Sequence, residues 1–240
     1  MSWLNVSSVC KSPEQTMAFP SVSQHARSDP RRRPLALLAL AVALFVLAVL
    51  ARVAHAQEDV TVGRIGRIAG EVTLIRGSQS VPASSGMAVR QEDAVATGAD
   101  GRVEVVFNDG SILALGSGTS VSIAAYAAPS GGAGRALLDL IDGILRLSLA
   151  PGRSWRSFEL RSATAVASVR STDWIVDAGR ASTAVFVVEG RVAVDSRAGL
   201  GGIVLEAGQG TDVRAGEAPT APKTWGQKRV DDVLARTRLP

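Results

Sequence analysis

The side chains best suited to chemistry lie at one end of this sequence. Both histidines, His25 and His55, and the single cysteine, Cys10, fall within the first 56 residues. From Gln57 to Pro240 there is no imidazole and no thiol. That removes cysteine nucleophiles, Ser-His-Asp triads, zinc sites built from His or Cys, and histidine proton relays. The lysines of that stretch, Lys223 and Lys228, stand in the tail, and neither belongs to a Ser-x-x-Lys pattern. Carboxylates remain: Glu92-Asp93, Asp139 with Asp142, Asp231-Asp232, and the single Glu104, Asp173 and Glu189. A glycosidase needs two of them facing one cleft. Glu104 reads as the exposed face of a strand and Glu189 as a turn residue. Gly116-Ser117-Gly118-Thr119 lacks the lysine and helix of a phosphate loop, and Gly63-Arg64-Ile65-Gly66 lacks dinucleotide-binding spacing. No carboxylates are arranged for iron. Binding is expected rather than catalysis, with no catalytic residue, metal or cofactor.

Binding residues are sought among the aromatics and arginines. Beyond residue 56 the aromatics are sparse, with Tyr126, Trp155, Trp174, Trp225 and a few phenylalanines. An exposed tryptophan is a binding anchor; a buried one packs or caps a core. Arg170, Thr172, Trp174 and Trp155 form the candidate partner-binding set.

The elements that must position them are strands. Short apolar runs recur between Gly, Asp-Gly or Pro: Val72–Ile75, Arg102–Phe107, Ser111–Leu115, Ile144–Leu149, Ser182–Val188, Arg191–Asp195 and Ile203–Glu206. Many open with a glycine followed by spaced aliphatics, as in Gly101-Arg102-Val103-Glu104-Val105 and Gly190-Arg191-Val192-Ala193-Val194. The glycine supplies a turn of positive φ and the aliphatics one buried face. Asn108-Asp109-Gly110 and Glu189-Gly190 mark hairpins, Asp177-Ala178-Gly179-Arg180 a looser one. Pro82–Gly86 and Pro129–Gly134 read as loops. The expected fold is all-β: a sandwich-like or short solenoid-like stack of antiparallel strands with a short C-terminal helix. Helical spacing appears only over Gln227–Arg238, where Val230, Val233, Leu234 and Thr237 share a face. That helix either docks on the sheet with Trp225 as anchor or forms a basic arm.

The first 56 residues read as a leader. Arg31-Arg32-Arg33 precedes the apolar run Pro34–Ala51, and Ala54-His55-Ala56 supplies a cleavage site before Gln57. The alternative is an uncleaved anchor with its N-terminal end in the cytoplasm. Translation starts at Met1 or Met17. The expected organisation is a signal segment at 1–56, a β domain at 57–218, and a linker with a short amphipathic helix at 219–240. The leader holds six of the 26 basic and two of the 22 acidic residues, leaving 20 of each beyond it. A neutral domain does not point to nucleic acid. With no cysteine after residue 56, stability rests on a core rather than disulfides.

Several motifs resemble the FecR domain family, named for a regulator of iron-citrate uptake. They run in order from Gly70-Glu71-Val72-Thr73-Leu74, through Ala96-Thr97-Gly98, Gly101–Phe107 and Asp109-Gly110-Ser111. They continue through Thr164–Trp174 to Glu189-Gly190-Arg191-Val192-Ala193-Val194 and Glu206-Ala207-Gly208-Gln209-Gly210. The family usually shows Val-Arg-Gly-Thr where this sequence has Val169-Arg170-Ser171-Thr172. Regulators of this family carry a cytoplasmic helical segment before a membrane span, and the residues ahead of this apolar run are too few for one. The resemblance implies a stand-alone exported member, periplasmic or secreted, or anchored in the inner membrane and facing the periplasm. Its role would be protein interaction in envelope signalling or scaffolding, with an envelope or outer-membrane protein as partner. The membrane would be touched only through an uncleaved N-terminal segment. The other reading is a module for cell-wall polysaccharide or another extracellular ligand.

Overall fold

Burial alternates residue by residue along Arg102–Phe107: Val103, Val105 and Phe107 are buried, while Arg102, Glu104 and Val106 are partly exposed. That period of two makes a strand with one wet face, and most of the chain repeats it. The computed structural model describes residues 60–129, 134–152, 155–170 and 172–240, all within the compact unit Glu58–Pro240. Residues 1–59, which include the expected cleavage site at Ala54, Ala56 and Gln57, lie outside the described residues, as does Ser171.

The described residues form seventeen strands and one helix. The first half holds β1 (Thr61–Ala69), β2 (Val72–Arg76), β3 (Gln79–Pro82), β4 (Ala88–Arg90), β5 (Ala94–Thr97), β6 (Arg102–Phe107), β7 (Ile112–Leu115) and β8 (Ser120–Ala127). After the long β9 (Gly134–Ser148) come β10 (Trp155–Arg161), β11 (Ala165–Val169), β12 (Asp173–Ala178), β13 (Ser182–Glu189) and β14 (Arg191–Ser196). The last elements are β15 (Gly202–Glu206), β16 (Gln209–Arg214), β17 (Lys223–Thr224) and the helix α1 (Gln227–Thr237).

The strands form one hydrogen-bonded system folded into two layers. Layer one runs β4-β1-β6-β7-β9-β12-β13-β16-β17. Layer two runs β3-β2-β5-β8-β9-β10-β11-β14-β15. All pairings are antiparallel except β9 with β10. Strand β9 belongs to both layers. Its first part pairs with β8 and β10, and from Gly143 onward it pairs with β7 and β12. Gly143 makes the crossing possible: its φ is 97°, and a Cβ there would run into Thr119. Gly101 differs from what its motif suggests. Its φ is not positive; it is glycine because a Cβ would strike the carbonyl oxygen of Glu71.

Hairpins alternate between the layers: β6–β7 in layer one, β10–β11 in layer two, β12–β13 in layer one, β14–β15 in layer two. From β10 onward each hairpin pairs with the nearest earlier strand of its own layer. The result is an open sandwich built as a short coil of strands, not a closed barrel.

One core fills the space between the layers. Leu113, Leu145, Trp174 and Val185 enter from layer one, and Val121, Leu138, Phe158 and Val194 from layer two. Phe107, Tyr126, Trp155 and Phe158 form a chain of rings with centroids 4.6, 5.5 and 4.9 Å apart. A smaller cluster lies on the other side of layer one, where α1 covers Ile144, Ile175 and Phe186 with Val233 and Trp225. Trp174-Ile175-Val176 and Val185-Phe186-Val187 are therefore buried without alternation, since both faces of β12 and β13 are covered there. Trp225 stacks on Phe186 at 5.0 Å, and the Arg229 guanidinium sits 3.5 Å over the Trp225 ring. Arg229 also pairs with Asp212, and Arg236 with Asp177, pinning both ends of α1. An eleven-residue helix without a side-chain N-cap is marginal alone, so this packing holds it. Among the described residues no helix is long and apolar enough to cross a membrane.

Candidate functional site

The carboxylates are occupied with one another's arginines rather than with a cleft. Glu104 accepts from Arg67 at 3.0 Å, and Asp173 from Arg146 at 2.9 Å. In each pair the hydrogen bond to the carboxylate raises the arginine's pKa above its already high ordinary value. Asp93, buried, accepts from Arg76 Nε at 2.8 Å and from the Arg90 amide at 2.8 Å. Asp109 turns inward from its hairpin and accepts from Tyr126 Oη and Ser111 Oγ, each at 2.6 Å. Glu189 is exposed at a hairpin end. Among the described residues no three His, Cys, Asp or Glu side chains gather as a metal site requires. Gly116-Ser117-Gly118-Thr119 is a turn tied from both sides: Thr97 Oγ1 donates to the Gly116 carbonyl at 2.6 Å and accepts from the Thr119 amide at 2.8 Å.

What the fold leaves open is the outer face of layer two. At its C-terminal end, β10, β11, β14 and β15 enclose a shallow groove of about 660 Å³. Pairing explains its shape. Ser168 stands opposite Ala193, and Ala193 opposite Val204, so small side chains form a low floor ending at a valine. One step along, Arg170 follows the Val169–Val192 pair on β11 and Arg191 precedes it on β14, setting two arginines side by side. Arg156 joins them where a bulge interrupts the pairing of β10 with β9. Arg156, Arg170 and Arg191 are exposed, and among the described residues no ion pair or hydrogen bond engages their guanidinium groups. Glu206 stands opposite Arg191 in the register without closing a salt bridge to it.

The four candidate partner-binding residues divide. Arg170 and Thr172 line the groove. Thr172 is 5 % exposed and spends its hydroxyl on the Arg191 carbonyl at 3.0 Å, so it fastens β12 to β14 and shapes the wall. Trp155 and Trp174 are a correction. At 3 % and 0 % exposure they belong to the core and offer no surface to a partner. Arg156, Arg191 and Val204 were not singled out in the sequence. The outward parity of Arg191, two residues before Ala193, is the one signal that marked it.

Comparison with known proteins then bears on this surface. Residues 93–193 match the family described as FecR protein, a stretch running from the start of β5 into β14 and including Arg156, Arg170 and Arg191. No curated protein matches the sequence. Two crystal structures, at 2.50 and 1.65 Å, of a candidate anti-sigma factor from Parabacteroides distasonis each align with 59 % of this chain at 18 % identity, with TM-scores of 0.47 and 0.48. The chain spans 63 % and 64 % of the length of those two structures. The family that the ordered glycine motifs resemble is thus the family whose model matches residues 93–193 of this chain.

Proposed function

We propose that the protein is a non-catalytic, exported interaction module of envelope signalling or scaffolding, whose partner is an envelope or outer-membrane protein. FecR domains are regulatory and typically periplasmic, and the leader pattern of the first 56 residues agrees with that placement. The observation that carries the reading is the free edge of β15. This strand pairs with β14 on one side only. The amide of Glu206 points away from that pairing, to Gln209 Oε1 at 2.9 Å, so the amides of Val204 and Gly202, two and four residues back, face the same open side. An unpaired strand edge is a template for a partner's strand. Leu200 and Val204 beside it are 52 % and 57 % exposed.

The polysaccharide reading loses its main support. All seven aromatic side chains among the described residues, Phe107, Tyr126, Trp155, Phe158, Trp174, Phe186 and Trp225, are buried. A sugar ring has no aromatic platform to stack on.

The test is crosslinking of the C-terminally tagged full chain in cells, recovery from envelope fractions, and N-terminal sequencing of the recovered protein. A specific protein partner with the chain starting at Gln57 is the expected result. Retention on the cell-wall fraction without a protein partner would overturn the interaction reading. An intact leader would change the placement to an anchored domain.

A further inference from the structure

Resting on that reading, we infer that the arginine groove and the β15 edge form one continuous surface for an extended partner segment in which acidic and apolar residues alternate. Two observations meet there. The first is charge. Arg170 just past β11 and Arg191 at the start of β14 stand side by side, with Arg156 beside them, and among the described residues none of the three is in an ion pair, Glu206 opposite Arg191 included. Like charges at neighbouring positions of a sheet disfavour the fold, so this cluster is a liability unless an anion is bound. Elsewhere on the surface Arg67, Arg146, Arg229 and Arg236 each hold a carboxylate. The second observation is the strand edge. The groove floor ends at Val204, which is itself the middle residue of β15 and carries one of the outward amides.

These two features together select the occupant. A strand added to β15 would take its main-chain hydrogen bonds from Gly202 and Val204. Its side chains would then alternate between the outer face of layer two and the opposite side. On the opposite side its apolar residues would continue the core face formed by Ile203 and Leu205. Carboxylates reaching over the low Ser168–Ala193 floor would meet the guanidinium groups, which bind carboxylate in a planar fork. An anionic polysaccharide would use the arginines but has no need of a strand edge. An anionic lipid surface would use the arginines and Leu200 but is equally indifferent to one outward amide.

The experiment uses the full chain and three probes: a random twelve-residue peptide display library, polygalacturonate, and vesicles of mixed phosphatidylcholine and phosphatidylglycerol. Two variants separate the contributions. The double variant Arg170→Glu with Arg191→Glu reverses the groove charge on exposed side chains. Val204→Pro removes one outward amide while leaving the β14 side of the ladder its own hydrogen bonds. Circular dichroism and a thermal melt establish that both fold. The expected result is enrichment of peptides with alternating acidic and apolar residues. Affinity for those peptides, read by fluorescence anisotropy, falls at least tenfold in each variant and falls with added salt. No acidic enrichment overturns the inference, as does peptide binding indifferent to Val204→Pro. Charge-dependent binding to polygalacturonate or to the vesicles, without peptide binding, overturns it in favour of those partners. An envelope partner captured equally well by wild type and both variants would leave the interaction module standing and remove this surface from it.

Discussion

At the scale of single residues, the structure turns on positions where chemistry and space leave no choice. Gly143 is one. It carries β9 from one layer to the other at φ 97°, packed against Thr119. Gly143→Ala therefore combines left-handed strain with a collision, and is expected to destabilise by at least about 3 kcal/mol. Gly208 is the control. Its φ is 79° but nothing lies within 4 Å of an added Cβ, so Gly208→Ala should show the strain alone, about 1 kcal/mol. Urea denaturation of both variants measures the difference, and equal losses would mean that the Thr119 contact does not matter. Asp109 is another such position. A carboxylate 6 % exposed is held by Tyr126 Oη and by the hydroxyl and amide of Ser111. Removing one donor to a buried charge costs about 1–3 kcal/mol. Tyr126→Phe should lose that much with the ring packing kept, and an unchanged urea midpoint would show that the remaining donors suffice.

At the scale of elements, α1 is the clearest dependent part. Its hold on layer one comes from Trp225 against Phe186 and from Val233 over Ile144 and Ile175. Trp225→Ala should cost about 3 kcal/mol, and it also removes the ring beneath Arg229. The uncovered cluster should then bind the dye ANS, and limited proteolysis should cut before Gln227 while the sandwich stays folded. Arg236→Ala breaks only half-exposed pairs, with Asp177 and with Asp232, worth about 0.5 kcal/mol each, so dye binding should stay at the wild-type level. The same elements show what the sequence displayed. Alternation and turn residues marked β6, β14 and the hairpins at Asp109-Gly110 and Glu189-Gly190, because period and turn chemistry are local. Strand β9 was visible only from Ile144 onward. Its earlier part carries Asp139 and Asp142 and meets Gly143, which read as a carboxylate pair and a break rather than as one strand changing layers. The groove was half visible. Arg170 came from a motif, but Arg156, Arg191 and Val204 reach it through strand register, which no local pattern encodes. The tryptophans needed the same register. Trp174 shares parity with Val176 and Ala178, all buried in β12, yet aromatic type alone suits a core and a contact surface equally.

At the scale of the whole molecule, the alternation of hairpins between layers decides how the protein comes apart. No stretch of the described chain owns a private core: residues from β1 through β16 contribute to one cluster. Nor do the halves separate cleanly, since β9 pairs with β7 and β8 on one side and with β10 and β12 on the other. A repeat stack whose units bury only against neighbours can unzip from its ends. Here β9 crosses between the layers in the middle and couples both sheets, which favours one cooperative transition. Urea unfolding followed by far-ultraviolet circular dichroism and by tryptophan fluorescence should give coincident curves. Trp155 reports layer two and Trp174 layer one once Trp225→Phe silences the α1 cluster, so non-coincidence in that variant would show the layers or halves yielding separately and would refute the coupling through β9. Native-state hydrogen exchange adds the spatial detail. Protection should be greatest in β9 and β12, flanked on both sides, and least in β3, β15 and β17, which stand at sheet edges. Low protection in β15 is also what an edge must show if it is to accept a partner's strand, and its amides should be the ones that slow when that partner binds.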